Sequence, residues 1–149
     1  MNEPVNKKKT ENQAPDLLFV CYGNTCRSPM AEGLAKKILG EKANVESAGI
    51  SPFFDIAQER AVEVMKELFD VDISSHEPRH IKDVSLDKFD FVIAMDKLVH
   101  LGLQKRPEIE AEKLILWEID DPFGQDLEEY RNCAEKIHRC LKDFLEEMN

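Results

Sequence analysis

The sequence predicts an α/β domain: a four-stranded, mostly parallel sheet with helices on both faces. Three observations predict it. Short continuous apolar runs such as Leu17-Leu18-Phe19-Val20 and Phe91-Val92-Ile93-Ala94-Met95 are the signature of strands buried on both faces. Segments with helical apolar spacing alternate with these runs. No repeat or linker interrupts the alternation, so one domain accounts for the pattern.

Residues 17–20 form the first strand. A glycine-containing loop follows at 21–27, and Ser28-Pro29 reads as N-cap and first helical residue. That helix carries Met30, Leu34 and Ile38 on one face and stops at Gly40. Residues 45–48 make a short second strand. Ala57, Ala61, Val64, Met65 and Leu68 recur at helical spacing and predict a second helix running to residue 70. A third strand over 89–95, a short helix over 97–105 closed by Pro107, and a fourth strand at 114–116 follow. Leu127, Tyr130, Ala134, Ile137, Leu141, Phe144 and Met148 mark a long amphipathic C-terminal helix.

At 149 residues and 42% hydrophobic composition, the chain suits one core without staples. A formal net charge of −10 argues against a general nucleic-acid binder or a partner of anionic membranes, both of which require a basic face. A local basic pocket stays possible. No apolar run reaches the length of a membrane span. Residues 1–15 are polar, with Lys7, Lys8 and Lys9 and no apolar stretch behind them. They read as a disordered tail before a domain at 16–149, not as a secretory signal. Four cysteines in such a chain point to a reducing cytoplasm. They never form Cys-x-x-Cys, so structural zinc is not expected.

The loop at 21–27 carries the chemistry. Gly23 and Asn24 tolerate positive φ, so successive amides of Cys21, Tyr22, Gly23, Asn24, Thr25 and Cys26 can turn inward as an anion nest. The helix start adds partial positive charge. Arg27 supplies a planar guanidinium that grips a phosphate through two parallel hydrogen bonds. The same field favours the thiolate of Cys21, the nucleophilic form, and Ser28 can donate a hydrogen bond to that sulfur. The chain contains its own control, because Cys133 and Arg139 have the same spacing. That second pair lies inside a long helical pattern without glycine and cannot curl around an anion; Cys133 reads as a small core residue. A Walker loop is excluded because Gly-Lys-Ser/Thr is absent.

A phosphatase that expels an aryl oxide needs a proton donor, since the leaving phenol has a pKa of about 10. Asp120-Asp121-Pro122 offers two carboxyls after the fourth strand, on a chain stiffened by proline. His76-Glu77-Pro78-Arg79-His80 matches the zinc-protease pattern by letter, but Pro78 would break the helix that motif requires. No metal site and no cofactor are expected. Phe53, Phe54 and Phe123, with Tyr22 at the mouth, are candidate walls for a planar substrate; Phe53 and Phe54 read equally well as core.

Cys21-Tyr22-Gly23-Asn24-Thr25-Cys26-Arg27-Ser28-Pro29-Met30-Ala31-Glu32 resembles the signature of the low-molecular-weight protein tyrosine phosphatase family. Ser47-Ala48-Gly49, Ile73-Ser74-Ser75-His76, Met95-Asp96 and Asp121-Pro122-Phe123-Gly124 match the family pattern in order. The resemblance implies a four-stranded parallel sheet and metal-free hydrolysis of phosphorylated proteins through a phosphocysteine. It selects Asp121 over Asp120 as the acid. It gives His76 a hydrogen bond to Asn24 and makes Ser47 a supporting residue. It also implies a reversible Cys21–Cys26 disulfide that protects the nucleophile. Thr25 stands where tyrosine-directed members commonly have a branched aliphatic residue. Protein-arginine phosphatases of the family have threonine there together with Asp-Pro-Phe-Gly, so Thr25 and Phe123 leave a phosphoarginine substrate open. Arsenate reductases share the oxyanion loop but need further cysteines between the second and third strands, and none lies there. A non-catalytic phosphate-binding module is opposed by the presence of both Cys21 and Asp121.

Overall fold

A computed structural model describes residues 14–148, so the tail expected at 1–15 lies almost wholly outside the described residues. The elements are β1 (Leu17–Cys21), α1 (Arg27–Leu39), β2 (Val45–Gly49), α2 (Glu59–Phe69), β3 (Phe91–Ala94), α3 (Lys97–Leu103), β4 (Leu114–Leu116) and α4 (Leu127–Glu147). The sheet is parallel throughout, in the order β2-β1-β3-β4. β1 is central because all five of its residues are buried, as its unbroken apolar run requires.

Alternation along β1 sorts the core. Leu17, Phe19 and Cys21 point to one face, where residues of α1, α2 and α4 join them in one cluster. Leu18 and Val20 point to the other, with Ile81, Leu86, Val99 and Leu103. The same two-residue period therefore aims the Cys21 side chain at the face covered by α1 and α4. The chain leaves β1 toward β2 and later returns on the other side as β3. The loop after β1 thus sits at the crevice where such sheets bind ligands.

Three local expectations change and two hold. α1 begins at Arg27 with Cys26 at its N-cap position, not Ser28, and no side chain caps it. Ser28 turns inward instead, and the amides of the first turn are left for another acceptor. Of the expected α1 face, Met30 and Leu34 are buried but Ile38 is 48% exposed; Ala31 and Ala35 complete the buried stripe. Gly40 ends the helix at φ 59, as the sequence predicts. Ala57 is buried but precedes α2. His76 and His80 lie outside any α-helix, so they share no helix face.

α4 packs against both α1 and α2, and Ile137 and Leu141 are almost completely buried. Leu141→Ala should lower the unfolding free energy by about 2–5 kcal/mol, the range for truncating a buried leucine. The check is the urea midpoint at unchanged m-value.

Candidate active site

The loop from Cys21 to Arg27 is shaped from outside by its carbonyls. Ile50 N–H donates to the Cys21 carbonyl (3.1 Å), Ser51 N–H to Tyr22 (2.8 Å), Gln58 N–H to Thr25 (2.9 Å) and Met30 N–H to Cys26 (3.1 Å). His76 Nε2 meets the Asn24 carbonyl at 3.0 Å. With those oxygens held outward, the amide N–H groups between them turn toward the centre, which is the requirement for an anion nest. Asn24 provides the reversal at φ 57; Gly23, also expected to be able to do so, does not adopt a positive φ. Gly49 makes the close approach possible. A Cβ there would lie 2.9 Å from the Tyr22 carbonyl oxygen and 3.0 Å from Asn24 N.

A directed hydrogen-bond chain supports the sulfur. Asn24 Oδ1 accepts from Arg79 N–H (2.9 Å), which fixes the amide orientation. Asn24 Nδ2 then donates to Ser28 Oγ (2.8 Å) and Ser47 Oγ (2.9 Å). Ser28 Oγ has accepted, so its own proton is free for Cys21 Sγ at 2.9 Å. Asn24 N–H donates to the same sulfur at 3.2 Å. Ser47 Oγ in turn donates a hydrogen bond to Glu32 Oε1. Both partners of His76 Nε2, the Asn24 carbonyl and Oδ1, are acceptors, so the proton resides on Nε2. Nδ1 faces Glu32 Oε1 at 3.8 Å. Burial pulls the His76 pKa below its ordinary value, against the opposing charge of Glu32.

Arg27 is only 3% exposed. Its Nη1 donates to Asp96 Oδ2 (2.7 Å) and to the Ile119 carbonyl (2.9 Å), while Nη2 lies 3.7 Å from Asp121 Oδ2. Burial opposes its charge, but Cys21, Asp96 and Asp121 outweigh burial and hold its pKa above the usual value. Asp96 Oδ1 also accepts Val99 N–H at the start of α3 (2.8 Å). Asp96 is desolvated, yet these donors hold its carboxyl below the usual range.

Cys21, Thr25, Arg27, Asp121, Phe53, Phe54, Phe123 and Tyr22 converge on one pocket of about 460 Å³. Asp121 is half-exposed, and its Oδ1 accepts Phe123 N–H (3.1 Å), leaving Oδ2 toward Arg27 and the pocket. Asp120 does not line this pocket. Phe53 and Phe54 belong to the pocket wall and not to the core; Phe53 is 85% exposed. Cys26 is buried against Tyr130 Oη (3.4 Å), and burial pushes its thiol up to about 11. Cys133 is buried beneath the Asp120 carbonyl, and burial pushes its thiol up to about 12. Glu32, Gly49, Arg79 and Asp96 were not singled out as site residues from sequence. Glu32, Gly49 and Asp96 stand inside the motifs that carry the resemblance, and Asp96 also follows a buried parallel strand at the ligand-binding end; Arg79 carried no such signal.

Residues 16–149 match the family model described as low molecular weight phosphotyrosine protein phosphatase. The chain belongs to that family. It is 36% identical to arsenate reductase 1 of Staphylococcus haemolyticus, over 87% of this chain and 94% of that protein. Among solved structures, it resembles the low molecular weight protein tyrosine phosphatase from T. tengcongensis (TM-score 0.81, 34% identity, covering 90% and 99% of the two chains). It also resembles the YwlE arginine phosphatase from Geobacillus stearothermophilus (TM-score 0.81, 27% identity, covering 91% and 93%). The four-stranded parallel α/β fold is the family fold.

The lowered pKa of His76 has a stability consequence. The unfolded chain takes up a proton near the ordinary pKa of about 6.5, whereas the folded chain resists until lower pH. Stability from neutral His76 is therefore present above about pH 6.5 and lost as pH falls toward the folded value. The urea midpoint should fall between about pH 7.5 and 5.5, and His76→Gln, which keeps an N–H donor, should reduce that fall.

Proposed function

We propose that this protein is a cysteine-dependent protein phosphatase that hydrolyses phosphotyrosine through a phosphocysteine. One observation carries the reading. A buried sulfur with two hydrogen-bond donors, from Ser28 and Asn24, shares an aromatic-walled pocket with Arg27 and a half-exposed carboxyl, Asp121. Cys21 thiolate attacks phosphorus in line. The nest amides and Arg27 hold the equatorial oxygens, and Asp121 protonates the leaving phenolic oxygen. Asp121, now a carboxylate, takes a proton from water as that water attacks the phosphocysteine and releases phosphate and the Cys21 thiolate. Ser28 stabilises the sulfur when it leaves. This chemistry calls on no metal and no cofactor. The partners are phosphorylated proteins in the cytoplasm; the net charge of −10 disfavours nucleic acid and anionic membranes. Among the described residues, no helix is long and apolar enough to cross a membrane.

A second substrate, phosphoarginine, is favoured by Thr25 and Phe123, which both line the pocket. The activity named for the staphylococcal relative, arsenate reduction, draws two electrons from thiols. Residues 50–90, between β2 and β3, hold no cysteine. Cys133 is buried beneath the acid loop. Both features favour hydrolysis.

Cys21→Ser should abolish turnover of an aryl phosphate while phosphate still binds, and Cys133→Ser should retain activity. Asp121→Asn should slow kcat/KM about 10²–10⁴-fold, with Asp120→Asn much milder. Arsenate-dependent thiol oxidation without ester hydrolysis would overturn the phosphatase reading.

Thr25→Ile decides between the two substrates. In an arginine-directed enzyme, wild type prefers a phosphoarginine peptide over its matched phosphotyrosine peptide, and the variant loses that preference. A strong wild-type preference for phosphotyrosine, little changed by the substitution, assigns tyrosine. After mild peroxide, peptide mapping should find Cys21 joined to Cys26, and thiols should restore activity; sulfonic acid at Cys21 alone would remove that protective pairing.

A further inference from the structure

The loop carrying Asp121 is poorly anchored by its own side of the molecule. Regular pairing ends where Ile119 N–H donates to the Met95 carbonyl (3.0 Å), and α4 begins after its cap at Asp126. Between them Asp120, Asp121, Phe123, Gly124 and Gln125 are exposed, and only Pro122 is buried. The bonds inside the loop, Phe123 N–H to Asp121 Oδ1 and Gln125 N–H to the Pro122 carbonyl, set its shape, and its one tie to the phosphate-loop side described above, Arg27 Nη2 to Asp121 Oδ2, is long at 3.7 Å. Gly124 turns at φ 80. From beneath, Cys133 Sγ reaches the Asp120 carbonyl only at 3.9 Å.

The opposite lip of the pocket is anchored differently. The segment 51–58 has both ends tied to the phosphate loop, by Ser51 N–H to Tyr22 (2.8 Å) and Gln58 N–H to Thr25 (2.9 Å). Its position is therefore set by the nest itself. From this lip the Phe54 ring packs on Phe123 with centroids 5.7 Å apart, and Phe53 packs edge-on against Phe54 at 5.3 Å. Just beyond it, Arg60 Nη1 donates to the Gln125 carbonyl at 3.0 Å. The two contacts grip the acid loop on either side of Gly124, and the Arg60 charge is opposite to those of Asp120 and Asp121.

From this clasp across the pocket, we infer that Phe54 and Arg60 are positioning residues for the acid: they seat the Asp121 loop at the distance the phosphate loop dictates. The inference rests on the phosphatase reading and adds how its acid is placed. Neither residue needs to touch the reacting atoms. A displacement of about 1 Å at a catalytic group can cost on the order of 10²-fold, and the acid as a whole is worth about 10²–10⁴-fold. Loosening the clasp therefore removes a large part of the acid's contribution and none of the nucleophile's.

That difference is measurable with a series of aryl phosphates whose leaving phenols range from phenol itself to strongly acidic nitrophenols. Inorganic phosphate as competitive inhibitor reads the nest. Phe54→Ala and Arg60→Ala should each lower kcat/KM for phenyl phosphate about tenfold, and the double variant by up to about 10². For Arg60→Ala the most activated ester should lose less than about threefold, because it needs little protonation; Phe54 also lines the aryl pocket, so its variant should lose one common ring-binding factor on every ester, and only the additional loss on phenyl phosphate reports the acid. Inhibition by phosphate should stay within about twofold of wild type. Placed in the Asp121→Asn background, Arg60→Ala should cost almost nothing and Phe54→Ala only its common ring-binding factor, because the group they position is gone. Arg60→Lys, which keeps a donor, should recover part of the loss. Losses equal across the ester series, or undiminished in the Asp121→Asn background, would overturn the clasp while leaving the phosphatase reading intact. A wild type inert toward every ester would overturn that reading and the clasp with it.

Discussion

The outward tethering of the phosphate-loop carbonyls is the constraint on which the site depends. A short loop that presents several N–H groups to one point would, left alone, rotate its peptide planes to pair them with water. Here the Cys21, Tyr22, Thr25 and Cys26 carbonyls are each claimed by a backbone N–H, and that of Asn24 by His76. A peptide plane with its oxygen pinned outward has its N–H turned inward. The donors come from the end of β2, the segment leading into α2, the first turn of α1 and the stretch before β3. The two connections that flank β2 thus both contribute to the geometry of one anion site. Glycine at position 49 is part of this constraint, because a side chain there would collide with the backbone it supports.

Polarity inside the site is arranged as a one-way chain. Arg79 N–H fixes Asn24, Asn24 donates to Ser28 and Ser47, and the Ser28 proton is left for sulfur. Buried polar groups are costly unless each is satisfied, and among the described residues no buried side-chain nitrogen or oxygen lacks a partner. Directionality follows from counting donors and acceptors: an oxygen that accepts from an N–H still has one proton to give. The same reasoning explains why Ser28 does not cap α1. Its hydroxyl is used by the sulfur, and the uncapped first turn stays available to an oxyanion. Arg27 is treated likewise, with Nη1 occupied by Asp96 and the Ile119 carbonyl.

Sequence reasoning failed where a residue's partner lies far along the chain. Ile38 fitted the apolar period of α1, yet the buried stripe rotates toward Ala31 and Ala35. Phe53 and Phe54 read equally as core or wall, because aromatic character alone does not say which way a loop faces. Cys21 and Cys133 show the opposite case. Their spacing to arginine is identical, but a glycine-containing turn precedes one helix and unbroken helix surrounds the other, so local chemistry separates them without a structure.

The sequence by itself determined the strands, the helices, the class of sheet and the loop that holds the nucleophile. Those features depend on apolar period, turn residues and helix signals, all of which act over a few residues. It also marked Arg27 and the Asp-Pro pair as partners of that loop. Tertiary structure alone decided that Asp96 orients Arg27, that Glu32 backs Ser47 and His76, and that Phe54 and Arg60 reach the acid loop. These contacts join residues 15 to 69 positions apart in the chain. No periodicity encodes such a pair; only packing the helices on the sheet brings the partners within hydrogen-bonding or ring-contact distance.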